Sequence, residues 1–498
     1  MKESSEFGVQ SSERDQKCSL PPFHPNPELC TPNSELWPLL HAILRSDLES
    51  FIAKSFQHLN PGSPFLSNWH IGLIAEALKA CESGDITRLI LNLPPRYLKS
   101  LSVSVAWPAW LLGHRPETRI LAASYAQKLA IKHAIDCRSL LTSPWYQALF
   151  PGTRIAPDQN EKAKCMTTAR GFRLATSVGM SVIGEGGDVL IVDDPLNPRQ
   201  AASRTYRDRA AHWFDQSFIT RLDHKQRGVV VLVMQRLHAD DLTAHLLAKQ
   251  AGWEQIALPM VAPTTTTITF RGFRHEREEG ALLHPARDRM EEVERLRKEL
   301  GSHAFAAQYQ QAPVAESGRH VKRAWFRRYR EAPTACTRII HSWDTAFKDG
   351  ASHDASVCTI WGEGADGFFL LEVVSIRASY PDLVYSLMTL VDRFPPDAVL
   401  IEDKGSGQVL IQELRKQGRI PVIAIQPKYD KLTRLLAVTP LIEAGRVWLP
   451  EDASWLPAFE EELFAFPHAA HDDQVDAFTQ YLHWARDRSG TETRIRTV

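Results

Sequence analysis

Two apolar runs that each end in phosphate-type chemistry constrain this chain most. Residues 87–100 read TRLILNLPPRYLKS, and residues 188–195 read DVLIVDDP. Short apolar runs without polar alternation suit strands buried on both faces, which implies a largely parallel sheet covered by helices. After the first run a proline-stiffened turn leads into Lys99-Ser100, where a helix is predicted to open. Such a turn aims backbone N–H groups and a helix N-terminus at phosphate, with Lys99 on the β/γ oxygens and Ser100 on Mg²⁺. The run departs from the G-x-x-x-x-G-K-[ST] pattern, because Leu93 and Leu98 stand where that pattern has glycine. Taken alone it also fits an ordinary strand-loop-helix bearing a surface lysine.

The second run closes on Asp193 and Asp194. At the carboxyl edge of a parallel sheet, Asp193 is assigned to the nucleotide's metal and Asp194 to the attacking water. A helix-capping pair before Pro195 is the alternative reading of the same residues. A third predicted strand, 228–234, ends in Gln235-Arg236, which would sense the γ-phosphate.

At 498 residues the chain exceeds what one hydrophobic core usually supports, so two principal domains are expected. The formal net charge of -1 excludes a generic basic coat for nucleic acid and leaves only local patches, at 319–330 and 428–434. Seven scattered cysteines without a C-x-x-C pair fit a reducing compartment. No apolar stretch approaches the roughly 20 residues that span a bilayer, and a soluble intracellular protein is expected.

Residues 1–35 are polar and proline-dotted and are read as a leader. Helical periodicity covers 36–59. Strands are predicted at 88–93, 119–124, 189–192, 229–234 and 253–258, and a charged helix at 289–300, within a first α/β domain of residues 36–307. A linker is read at 308–335, because QYQQAPVAESG has linker composition, followed by a second domain at 336–486 and a tail at 487–498. In the second domain the order is strands 337–344, 356–361 and 367–374, helix 381–393, strand 398–401, helix 407–417 and strand 421–425.

That second domain carries its own constellation. Two-metal phosphodiester hydrolysis needs carboxylates from separate elements converging on one phosphate. Asp344 ends the first strand and Glu402 a later one, so both emerge at one sheet edge if the strands are neighbours. His471-Asp472-Asp473-Gln474-Val475-Asp476 opens a C-terminal helix, where acids complement the helix dipole. Asp344, Glu402 and Asp473 are the principal candidate ligands for Mg²⁺ or Mn²⁺, with Asp472 and Asp476 as close alternatives and His471 as a supporting group. The same acids also fit a helix N-cap facing solvent. Lys428, Lys431 and Arg434 follow the last strand and offer a DNA-backbone contact, or else a solvated helix face. Arg319, Lys322, Arg323, Arg327, Arg328 and Arg330 interleave with aromatic residues and read either as a DNA grip or as a packing segment.

Six segments in order, LNLPPRYLKS, VLIVDDPL, QYQQAP, SWDTAF, IEDKGSG and HDDQVDAF, resemble the large terminase subunits of tailed bacteriophages, prophages and gene transfer agents. The resemblance spans residues 68–484. It implies a P-loop NTPase-type, mostly parallel α/β domain as packaging motor, followed by a ribonuclease-H-like α/β nuclease. It places Arg96, Lys99 and Ser100 on ATP and adenine contacts at Asn68-Trp69-His70, where a tryptophan packing on a helix is the alternative reading. The segment Gly184-Glu185-Gly186-Gly187 lacks the arginine many relatives carry there. Implied partners are double-stranded DNA, a small terminase subunit, the portal protein of a procapsid and further copies of the chain in a pentameric ring, in the host cytoplasm and without a membrane. The competing readings are a helicase-nuclease of DNA repair, which needs a second motor domain, and a non-enzymatic adaptor with a decayed ATP site.

Overall fold

The structure is a computed structural model and describes residues 36–180, 182, 184–249, 251–313, 320–331, 333, 336–345, 355–469 and 471–492. The leader 1–35, Ala346 and Phe347 of SWDTAF, residues 314–319 of the linker and 493–498 of the tail lie outside the described residues. The chain divides into two compact units, Met1–Asp47 and Leu48–Val498. The described part of the first contains one helix, α1 (Leu36–Ser46). The single helix expected over 36–59 is therefore two, broken at Asp47, a residue type that favours helix starts over helix interiors.

In the second unit the helices are α2 (Leu48–Leu59), α3 (Trp69–Glu82), α4 (Trp107–His114), α5 (Gln127–Thr142), α6 (Pro144–Leu149), α7 (Arg204–Trp213), α8 (Leu242–Ala248) and α9 (Met290–Gln308). They are followed by α10 (Tyr380–Arg393), α11 (Ser406–Gln417), α12 (Lys431–Glu443), α13 (Leu456–Ala465) and α14 (Asp473–Glu492).

The first sheet has eight strands: β1 (Arg88–Asn92), β2 (Arg119–Ser124), β3 (Ile155–Asn160), β4 (Lys164–Thr167), β5 (Phe172–Ser177), β6 (Val189–Asp193), β7 (Val229–Met234) and β8 (Glu254–Ala257). Their order is β3-β4-β5-β2-β6-β7-β1-β8, parallel from β5 through β8, with β3 and β4 antiparallel at one edge. The apolar runs occupy the centre, where every residue of β6 and β7 is buried. β3 to β5 escaped the sequence reading for a physical reason. The edge strand IAPDQN is polar, and FRLATS carries an arginine that is nonetheless 2% exposed. A hairpin, β9 (Thr266–Phe270) and β10 (Phe273–Arg277), stands apart from both sheets.

The second sheet comprises β11 (Arg327–Tyr329), β12 (Arg338–Asp344), β13 (Ser356–Gly364), β14 (Gly367–Ile376), β15 (Ala398–Glu402), β16 (Val422–Ile425) and β17 (Val447–Pro450), ordered β11-β17-β14-β13-β12-β15-β16. β12, β13 and β14 form an antiparallel meander, and β15 and β16 extend it in parallel from β12. One face buries Ile340, Trp361, Leu370, Phe459, Phe478 and Tyr481 with α12 to α14. The other buries Trp343, Ile360, Leu387, Val399, Ile401 and Leu410 with α10 and α11. The fold class is mixed α/β, with a parallel sheet first and a ribonuclease-H-like sheet second. Gln308–Pro313, read as linker, is bonded into the first sheet's surroundings. Gln310 exchanges two 2.9 Å hydrogen bonds with the backbone of Val261, and Gln311 Oε1 accepts from Arg236 N at 2.9 Å. Glutamine amides satisfy part-buried backbone groups here, which linker-like composition does not reveal.

Candidate functional site

The carboxyl ends of β1, β6 and β7 meet at one edge of the first sheet. β7 lies between β1 and β6, so Lys99 reaches across the β7 tip to the acids on β6. Its Nζ sits 3.1 Å from Asp194 Oδ2 and donates to Gln235 Oε1, and the side chain is almost fully buried. Asp193 accepts from Ser100 Oγ at 2.9 Å and from Ser104 Oγ at 2.6 Å, with His133 Nδ1 at 3.4 Å. Burial pushes both carboxyls upward, while the serine hydroxyls at Asp193 and Lys99 at both acids pull the other way. Ser100 Oγ and Asp193 together offer hard oxygen donors, which suit Mg²⁺.

The turn that delivers Lys99 adopts left-handed backbone at Arg96 (φ 70) and Leu98 (φ 59). Leu98 thus takes the conformation that glycine adopts without steric cost, so the loop closes despite the missing glycine. Arg96 is exposed. Arg236 turns away from Lys99: its Nε lies 2.8 Å from Asp241 Oδ2 and its Nη2 reaches the carbonyls of His238 and Ala239. Gln235 is therefore the polar group at that strand tip which meets the lysine.

Beside the turn is a cluster the sequence reading only touched. Trp69 stacks on His275 at 4.2 Å, and His70 is buried against Tyr97 and His284. Arg287 lies 4.0 Å over the Tyr97 ring and donates to the Arg96 carbonyl. Burial drives His70 down to about 3, so it is neutral. His284 and Arg287 carry no motif; only the fold brings them to Tyr97 on the loop.

The second sheet gathers the other acids. Trp343 is paired in register with Ile401, which puts Asp344 and Glu402 side by side at the ends of parallel β12 and β15. Directly after Glu402 the chain turns through Gly405 (φ 53) and passes so close that a Cβ on Gly407 would lie 2.0 Å from the Glu402 carbonyl oxygen. α14 is fixed above β12: Ser342 Oγ donates to the Ala477 carbonyl at 2.8 Å, and Gln480 Nε2 donates to Ser342 Oγ and the Trp343 carbonyl. Glu462 accepts the N–H groups of Gln474 and Val475 at the start of α14. With that capping role filled, Asp473 and Asp476 line a cavity of about 720 Å³ together with Asp344 and Glu402.

Burial, and then Asp476, Glu402 and Asp473, push the Asp344 carboxyl up to about 7. Lys431 Nζ lies 2.6 Å from both Asp472 and Asp476, and Arg434 reaches Asp476 at 2.7 Å and Glu402 at 3.4 Å. Burial works against the charge on Lys431, yet Asp472 and Asp476 outweigh it and raise its pKa. Two of the three cations read as a DNA contact are thus held by carboxylates, while Lys428 is exposed on the cavity wall. Among the described residues no group of three His, Cys, Asp or Glu donors is gathered to hold an ion as it stands. The convergent, all-oxygen acids nevertheless suit Mg²⁺ or Mn²⁺ once the Lys431 ammonium gives way. His471 is exposed. Ser203, Thr205, Tyr206 and Arg209, from α7 and the residue before it, line the same cavity.

The basic run before β12 makes ion pairs and ring contacts within the second sheet's surroundings, with Arg323 and Arg330 still largely exposed. Arg323 and Arg328 pair with Glu460, Arg330 pairs with Glu451, and Lys322 and Arg327 lie over Trp325 and Trp448. Arg319 lies outside the described residues. No helix among the described residues is long and apolar enough to cross a membrane.

Residues 341–484 match the terminase RNaseH-like domain family. No curated protein matches the chain. Among solved structures, the large terminase of the thermophilic bacteriophage D6E superposes with a TM-score of 0.54 at 11% identity, over 85% of this chain and 99% of that one. The same D6E protein in complex with ADP gives 0.51 at 11% identity, over 84% and 99%. The chain has the fold of a large terminase, and its residues 341–484 match the terminase RNaseH-like domain family.

Proposed function

We propose that this chain is a large terminase subunit that hydrolyses ATP to translocate double-stranded viral DNA into a procapsid and cuts concatemeric DNA with divalent metal. The observation that carries the reading is the pairing, in one compact unit, of a buried Lys99 on Asp194 and Gln235 with a separate convergence of Asp344, Glu402, Asp473 and Asp476. In the first site Lys99 would bind the β/γ oxygens, Ser100 and Asp193 would hold Mg²⁺, and Asp194 would orient the water. The D6E terminase of this fold, seen with ADP, supports a nucleotide there. In the second, Asp344, Glu402 and one or more of Asp472, Asp473 and Asp476 would hold Mg²⁺ or Mn²⁺, which lowers the pKa of bound water and stabilises the leaving oxygen. Lys428 would meet the DNA backbone. The nucleotide unit is assigned to residues 36–307 and the nuclease to 336–486, and the working form is a pentameric ring at the portal with a small terminase subunit, in the host cytoplasm.

Plasmid cleavage by the purified chain with Mn²⁺ or Mg²⁺, alongside ATP turnover, tests this. Asp344→Ala should lose cutting and keep ATP hydrolysis, and Lys99→Ala should do the reverse. Loss of both activities in either variant would contradict two separable sites.

A further inference from the structure

The helix that carries Lys99 and Ser100 does not begin as a regular α-helix. Leu101–Ala106 winds as a π-helix, and the Trp107 N–H donates to the Ser102 carbonyl, five residues back. The sequence supplies the cause. In an α-helix the Ser104 carbonyl would accept from residue 108, but that residue is Pro108, which has no N–H and whose ring crowds the carbonyl four residues before it. Ser104 is 1% exposed, so its carbonyl must find a donor inside the protein.

Arg173, at the second position of β5, provides it. Its Nη2 and Nε lie 3.0 and 3.3 Å from the Ser104 carbonyl oxygen, and the residue is 2% exposed. Burying a guanidinium is costly, and here no carboxylate among the described residues lies at ion-pair distance to offset the cost. Its Nη1 is also without a hydrogen-bond partner. The same turn is tied on its other side to β6, since Ser100 Oγ and Ser104 Oγ donate to the two separate oxygens of Asp193. Relaxation of the turn to α-helix would rotate Ser100 and Lys99 about the axis relative to the buried Trp107–His114 helix. Asp193 would then lose one or both serine contacts.

We propose that Arg173 is a positioning residue for the nucleotide chemistry: by supplying the donors that Pro108 withholds, it fixes the π-helical turn that seats Ser100 and Ser104 on Asp193. This rests on the ATPase reading above. A lysine would not substitute, because the role needs two N–H groups in fixed fork geometry on one carbonyl.

The test uses the full chain as wild type, Arg173→Met, Pro108→Ala and the double variant. Thermal unfolding without nucleotide should show Arg173→Met destabilised and largely rescued by Pro108→Ala, because alanine in place of the proline returns a backbone N–H to the Ser104 carbonyl; the double-mutant cycle reads this coupling directly. In Arg173→Met, kcat for ATP should fall at least about tenfold while KM changes less than about threefold, since misplacement by about 1 Å is enough for such a loss. The Mg²⁺ concentration for half-maximal turnover should rise, and Mn²⁺-dependent plasmid cutting should be retained. The stabilised double variant should remain slow, which a purely structural role would not produce. Wild-type kcat in Arg173→Met, or its full recovery in the double variant, overturns the proposal alone. A wild type without ATP turnover sinks the ATPase reading, and this role with it, whatever the unfolding cycle shows.

Discussion

Arg434 is the cation most deeply set among the second-sheet acids, and Arg434→Met tests how far they depend on it. Its guanidinium lies 2.7 Å from Asp476 and 3.4 Å from Glu402, with the side chain 11% exposed and that of Asp476 4%. At an effective dielectric near 20, unit charges about 4 Å apart attract by about 4 kcal/mol, offset in part by desolvation of the guanidinium. Removing one partner of a buried pair costs about 3–5 kcal/mol, because the other charge is left uncompensated. Lys431, still 2.6 Å from Asp476, covers part of that loss, and methionine fills much of the apolar stem's volume. The expected penalty is therefore about 3 kcal/mol. For the assigned domain of residues 336–486 unfolding on its own, this lowers Tm by roughly 6–12 °C.

The loss of that charge also sets the metal response. With Arg434 gone, Asp344, Glu402 and Asp476 face one another with less positive charge among them, so a divalent cation gains more on binding. Ligand bound only to the native state stabilises by RT ln(1 + [L]/Kd), about 2.7 kcal/mol at one hundred times Kd. Scanning fluorimetry in EDTA and then in Mn²⁺ should show the variant melting well below wild type, with the gap closing as Mn²⁺ is added. A variant that melts within about 2 °C of wild type in EDTA, or a wild type that gains at least as much from Mn²⁺, would refute the argument.

Other consequences are as direct. Gly407→Ala must push a Cβ from 2.0 Å off the Glu402 carbonyl; the displaced turn should abolish plasmid cutting while ATP turnover persists in the same preparation. Asp241→Ala removes the buried partner of Arg236 and the side-chain cap of α8, so urea unfolding should show a loss of about 3–5 kcal/mol. His341 is buried, bonds the Phe394 carbonyl, and is pushed by burial from 6.5 down to about 4. Its folded pKa is depressed, so below pH 6.5 the unfolded chain takes up a proton that the native chain refuses. Stability is full above that pH and falls on acidification to about 4, by on the order of 3 kcal/mol in total. His341→Gln should flatten the urea-measured slope over that interval; an unchanged slope would assign the acid sensitivity elsewhere.

The central strands of both sheets were legible because burial on two faces demands continuous apolar runs, and LILN, VLIVD and VVVLVM satisfy it without ambiguity. The edge strands were not. β3 is polar because one side meets solvent, and β5 was hidden by Arg173, whose charge argues against a buried strand until its carbonyl partner is known. α12, α13 and β17 were also missed. Pro440 lies inside α12, and Pro457 follows the first residue of α13, where proline is tolerated in a first turn but reads in sequence as a break.

Residues that act through sequence neighbours were visible and residues that act through space were not, and the two sites divide on that line. Lys99 and Ser100 are adjacent, as are Asp193 and Asp194, and each pair follows or ends a strand, so motif and strand pattern locate them together. The partners that decide their state come from elsewhere: Gln235 from the end of β7, Ser104 from one turn further along the helix, His133 from α5 and Arg173 from β5. In the second site the acids were read correctly as strand-end and helix-start positions, but the same helix-start logic pointed to them as caps. It took Glu462, on a different helix, to fill the capping role and leave Asp473 and Asp476 on the cavity wall. Lys431 and Arg434 invert the expectation most sharply. Their spacing after a strand suggested a surface for phosphate, whereas Asp344, Glu402, Asp473 and Asp476 converge in one cavity and repel one another, and Lys431 and Arg434 are ion-paired with Asp472, Asp476 and Glu402 there. Charge in a sequence therefore indicated chemistry here only after its counter-charge was placed.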